Sequence, residues 1–93
     1  MPKGTKPSPE QELERDRARR RLGANLSNIM ATLDVKPNDL ADYLGLHVDT
    51  IYKYMRGDRE PEIWQIVKIA RRFRVSTDAL ITGKPRNLLR VVE

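Results

Sequence analysis

Apolar positions along this chain recur three and four residues apart in short stretches, separated by proline, glycine and charged residues. That spacing puts each set on one face of an α-helix. Leu22, Leu26, Ile29, Met30 and Leu33 make the first stripe. Ahead of it, Ser8, Pro9 and Gln11 fit a capping box with proline at the first helical position, while Glu10, Glu12 and Glu14 favour the positive end of the helix dipole. A helix therefore begins at Ser8. Between cap and stripe, acids precede arginines at helical spacing (Glu12 to Arg15, Glu14 to Arg17, Asp16 to Arg19 and Arg20), which predicts a solvated face that buries almost nothing. Gly23 costs roughly 1 kcal/mol against alanine inside a helix, yet the favoured reading is one continuous helix.

The connector Asp34, Val35 and Lys36 leads to Pro37, again at a first helical position, with Asp39 in the first turn and Leu40, Ala41 and Leu44 on one side. Gly45 ends that helix. A further helix carries Ile51, Tyr54 and Met55 and stops at Gly57. Pro61 is expected to open the next, with Ile63, Ile66, Val67, Ala70 and Phe73 inward and Lys68, Arg71, Arg72 and Arg74 largely outside the stripe. Trp64, beside that stripe, either packs at the edge of the core, the favoured reading, or marks an exposed patch for a second copy. Ser76 caps a last helix with Thr77, Leu80 and Ile81 inward, before Gly83 and Pro85. These elements predict an all-α bundle of five helices, divided into a flexible arm at 1–7, a charged helical extension at 8–21, a folded domain at 22–83 and a tail at 84–93. The tail's Leu88, Leu89, Val91 and Val92 have no assignable core partner and suit a twofold dimer contact, or a tail folded on its own domain or disordered.

Composition narrows the chemistry. The chain has 93 residues, one histidine and no cysteine, so it offers no disulfide, no thiolate zinc site and no cysteine nucleophile. Paired carboxylates, a phosphate-binding loop and a nucleophile with its base are also missing, which argues against an enzyme and against a cofactor. Apolar runs are too short to cross a bilayer and the start lacks the apolar core of a signal peptide, so a cytoplasmic, nucleoid-associated protein is expected. The net charge of +5 permits nucleic-acid binding by counterion release. Its distribution is uneven: residues 1–36 carry +3, residues 37–61 carry −2 and residues 62–93 carry +4.

Counted from Pro37, the segment PNDLADYLGLHVDTIYKYMRGDREP has alanine (Ala41) at the fifth place, glycine (Gly45) at the ninth and isoleucine (Ile51) at the fifteenth. This pattern resembles the helix-turn-helix of the lambda-repressor-like, or XRE, family. Ala41 is small where two helices cross, Gly45 takes a positive φ in the turn, and Ile51 seats the second helix against the first. The stretches LGANLSNIMATLDV and FRVSTDALITG look like parts of the same fold, so the resemblance covers about residues 22–83. Three positions depart from the family pattern. Proline stands at residue 37 where a glutamine that contacts DNA is usual, and Met30 and Met55 stand where many members pair a buried arginine with a glutamate. Because both partners of that pair are changed together, no orphan buried charge is left.

The resemblance implies that His47, Val48, Asp49, Tyr52 and Lys53 face the major groove. Lys53 has the chemistry to read guanine, Asp49 to accept from cytosine, and Val48 to touch a thymine methyl. Structural roles are open for the same residues: His47 as a helix cap, Asp49 as a first-turn acid, Val48 partly buried and Tyr52 a surface aromatic. Because the motif is mildly acidic, phosphate contacts are expected from Lys36, Arg56 and Arg59, with Arg20 and Arg21 undecided between DNA and a solvated helix face. The expected function is sequence-specific double-stranded DNA binding by a homodimeric transcriptional regulator, a repressor, of a bacterium, phage or other mobile element, acting on a pseudo-palindrome. The alternative is a protein-interaction module or antitoxin-like accessory regulator on the same scaffold, whose partner surface is the charged helix.

Overall fold

In a computed structural model that describes residues 8–83, the chain forms α1 (Pro9–Leu33), α2 (Pro37–Leu44), α3 (Val48–Arg56), α4 (Ile63–Phe73) and α5 (Thr77–Thr82). No strand occurs among the described residues. The arm at 1–7 and the tail at 84–93, with its suggested dimer contact, lie outside them. None of the described helices is long and apolar enough to cross a membrane.

Local chemistry sets the ends of these helices. The Ser8 hydroxyl accepts from the Gln11 amide at 3.1 Å while Gln11 Oε1 accepts from the Ser8 amide at 3.0 Å, so both halves of the expected capping box form. At the start of α2, the Asp39 carboxylate accepts from the Lys36 amide. Gly45 closes α2 at φ 71°, and Ser76 Oγ caps α5 by accepting from the Ala79 amide at 2.9 Å. Pro61 does not open α4. That helix begins two residues later, because Gln65 Oε1 accepts from the Glu62 amide at 2.9 Å and makes Glu62 the cap, leaving Pro61 buried just ahead.

The core is assembled from Leu22, Leu26, Ile29 and Met30 of α1, Leu40, Ala41 and Leu44 of α2, Ile51 and Tyr54 of α3, Ile69, Ala70 and Phe73 of α4, and Leu80 of α5. Helix α1 packs against α3 and α5, α2 against α3 and α4, and α4 against α5. Asn25 reinforces the second of these seams by donating from Nδ2 to the carbonyls of Leu80 and Ile81 at the end of α5. Met30 is buried and Met55 is partly buried against the same cluster, an apolar solution in place of an ion pair.

Several expected core positions lie outside it. Ile63 is 80% exposed and Trp64 50%, while Gln65 and Ile69 are buried, so the buried face of α4 is rotated from the apolar stripe read along the chain. Leu33 and Ile81 are also exposed, as is Thr77, while Ala79 is buried in its place on α5. Position relative to the neighbouring helices decides these cases, since an apolar residue at a helix end gains burial only where another element reaches it.

Helix α1 is continuous through Gly23, and the glycine is there for a close approach. A Cβ at residue 23 would overlap the Tyr54 carbonyl oxygen and stand 2.7 Å from that of Met55. The charged half of α1 is less solvated than expected. Asp16 does pair with Arg19 and Arg20, but Arg15 pairs with Glu60 at 3.0 Å rather than with Glu12, and Arg19 is part-buried.

Candidate nucleic-acid interface

Helix α3 alternates between a packed face and an open one. Ile51 and Tyr54 are buried, and Val48 and Met55 are partly buried against the core. Asp49, Tyr52, Lys53 and Arg56, at i, i+3, i+4 and i+7, are all exposed. They form one strip along the helix. Val48 is thus partly turned towards packing.

At the N-terminal end of the strip, His47 Nδ1 accepts from the Asp49 amide at 3.1 Å and caps α3. Using Nδ1 as acceptor puts the proton of the neutral ring on Nε2, so the cap residue still carries a donor. The Asp49 carboxylate lies 3.6 Å from the same ring nitrogen, and both side chains are about three-quarters exposed (74% and 75%). Lys53 stands mid-strip and makes no ion pair among the described residues.

Arginines gather at the C-terminal end. Arg56 Nε pairs with Asp58 at 2.8 Å, both side chains being exposed, so the pair is worth little and is readily exchanged for another acceptor. Arg59 follows in the same turn, close enough to Tyr54 for its charge to act on the phenol. Arg20 arrives from α1: its Cα would stand 2.9 Å from a Cβ at Gly57, the residue that closes α3 at φ 77°. No hydrogen bond or ion pair among the described residues ties the side chains of Lys36 or Arg21 to α3.

The strip is held in place from beneath. The Tyr54 hydroxyl donates to Gln65 Oε1 at 2.7 Å in the buried interior, and that oxygen also takes the Glu62 amide, so one side chain joins α3 to the start of α4. Burial raises the Tyr54 pKa above its ordinary 10.0, the Arg59 charge and the Gln65 hydrogen bond draw it back, and Glu62 pushes it up again. Among the described residues no buried side-chain nitrogen or oxygen lacks a partner. Sequence reading missed Gln65, whose only sign was a polar residue three places after Glu62 in a capping position. It also missed the long-range partners of Arg15 and Arg19, for which local spacing carries no signal.

A family model described as a helix-turn-helix matches residues 26–80, more than half of the chain, from within α1 to within α5. No curated protein matches the chain. The matched span leaves out the capped, charged beginning of α1.

Proposed function

The chain belongs to the lambda-repressor-like helix-turn-helix family, and from that premise we propose that it is a repressor acting as a homodimer on a pseudo-palindromic DNA operator. The family is one of DNA-binding transcription regulators. In this proposal α3 lies in the major groove, with Tyr52 and Lys53 against base edges and His47 and Asp49 at its leading end. Lys53 donates to guanine, while Asp49 accepts from cytosine or rejects bases that offer only acceptors. Arg56 and Arg59 take phosphates beside the end of α3, Arg20 and Arg21 extend that contact from α1, and Lys36 adds one ahead of α2. The homodimer places two copies of α3 about one helical turn apart, and repression follows from overlap with the polymerase.

The observation that carries this reading is the exposed strip Asp49, Tyr52, Lys53 and Arg56, which has donors and an acceptor at base-reading spacing and arginines at one end. Selection on random duplex DNA, with the bound pool sequenced at moderate and raised salt, tests it. An enriched palindrome establishes a dimeric reader and its spacing gives the dimer geometry. A pool that stays random, or no binding at either salt, overturns the proposal.

A second reading, a protein-interaction or antitoxin-like module on the same scaffold, is favoured by the exposed Ile63 and Trp64 at the start of α4. It predicts duplex binding that is weak and indifferent to Lys53 and Arg56.

A further inference from the structure

We infer that Arg19, oriented by Asp16, is a positioning residue for the turn after α3, and that the charged beginning of α1 is a built-in buttress of the DNA-contacting surface. The inference rests on the DNA-binding reading above and deepens it. Its α1 residues, Arg15, Asp16, Arg19 and Arg20, lie ahead of the span that the family model matches.

The turn from Gly57 to Glu60 has few attachments of its own. Its first two amides bond back into α3, Gly57 to the Tyr54 carbonyl and Asp58 to that of Lys53, while Asp58, Arg59 and Glu60 are exposed. The Gly57 carbonyl lies beyond the helix ladder and requires a donor from elsewhere. Arg19 supplies it: Nε donates to that oxygen at 2.6 Å, a charge-assisted bond from a side chain only 26% exposed. The rest of the guanidinium is held by Asp16, whose other carboxylate oxygen takes Arg20 Nε at 3.2 Å. The Arg19 fork is thereby aimed before the turn meets anything. The Arg20 backbone packs directly on Gly57, and Arg15 reaches Glu60 at the far end of the turn.

One helix thus holds the start of a four-residue turn that carries Arg59 and directly follows Arg56, and the exposed Arg15–Glu60 pair at the other end adds little to that hold. A phosphate-contacting turn that is already ordered loses less conformational freedom on binding. Arg19 itself is engaged with Gly57 and Asp16, so its effect on DNA runs through Arg56 and Arg59.

Two full-length variants separate positioning from charge. Arg19→Lys keeps the charge but has no planar fork to serve Gly57 and Asp16 together. Asp16→Asn makes the protein more positive, so simple attraction to DNA tightens binding, whereas loss of the Arg19 orientation weakens it. Affinity for the duplex enriched in the selection, measured over a range of salt, is expected to fall in both variants by roughly tenfold, the equivalent of ordering about one residue. Amide exchange provides a reading independent of DNA: the Gly57 and Asp58 amides are expected to exchange faster in both variants while amides in the middle of α1 and α3 keep their protection. If the wild-type protein binds no duplex, the regulator reading fails and this inference with it. If it binds and Asp16→Asn binds as well or better, with the turn amides unchanged, the inference alone is overturned. Loss of protection throughout α1 and α3 in both variants also overturns it, because the clamp is then a general part of the fold.

Discussion

Gly23 of α1 lies so close to the carbonyl oxygen of Tyr54 in α3 that a methyl group on it would overlap that oxygen. Within an isolated helix, glycine to alanine gains about 0.5–1 kcal/mol. Here the neighbouring atoms are backbone and cannot swing aside. Forcing a methylene-sized group into a filled contact costs about 1–3 kcal/mol. Gly23→Ala is therefore expected to destabilise the domain, read as a lower urea midpoint at unchanged slope. A higher midpoint would mean that α1 and α3 do not cross where the structure places them.

The second prediction concerns alkaline pH. Burial, the largest influence, keeps the Tyr54 phenol protonated above its ordinary 10.0, with Arg59 and the Gln65 bond opposing and Glu62 assisting. The folded protein thus holds this proton more tightly than the unfolded chain, so stability is intact below pH 10 and declines as pH rises through and beyond it. Tyr54→Phe should remove that part of the decline, while costing about 1 kcal/mol at neutral pH for the lost hydrogen bond. Urea unfolding of both proteins from pH 7 to pH 11 gives the comparison, and parallel curves would count against the buried phenol.

Two isoleucines on one helix provide the third test. Ile69 is 1% exposed and Ile63 80%, although both belong to the apolar content of α4. Ile69→Ala is expected to cost about 2–5 kcal/mol, as for a filled core site. Ile63→Ala should stay within about 0.5 kcal/mol. Thermal unfolding distinguishes them at once, and equal losses would mean that Ile63 is covered in solution.

The fourth prediction divides base reading from phosphate contact along the strip. Lys53→Ala should relax preference at one position of the selected sequence. Arg56→Ala should weaken binding to all duplexes alike and reduce the steepness of the log–log salt dependence by about 0.9, the value of one phosphate contact on B-form DNA. Binding titrations at several salt concentrations measure both. Identical behaviour of the two variants would remove the distinction drawn here between Lys53 and Arg56.

Much of the candidate site was legible along the chain because it depends on local order. Asp49, Tyr52, Lys53 and Arg56 fall on one face by helical geometry alone, and that face is exposed in the structure. His47 was placed both as a cap and as a groove residue, and its ring nitrogen does accept from the Asp49 amide. Val48 was less legible. Its apolar side chain suits a thymine methyl and a protein core equally, and only the helices packed around α3 show that it turns partly to the core.

What the sequence determined by itself is the set of helices and most of their ends. Caps such as Ser8 with Gln11, and turns such as Gly45, act over three or four residues and need no distant partner. Tertiary structure decided what depends on residues far apart in the chain: that Gly23 is room for a crossing helix, that Arg15 turns from Glu12 to Glu60, and that Arg19 closes the end of α3 through a carbonyl 38 positions away. It also decided the burial of Gln65 and the exposure of Ile63 and Trp64. The physical reason is common to all of these. Helix formation is governed by short-range hydrogen bonds and side-chain spacing, whereas the worth of a buried methyl, an unpaired carbonyl or a guanidinium depends on which surface the fold brings against it.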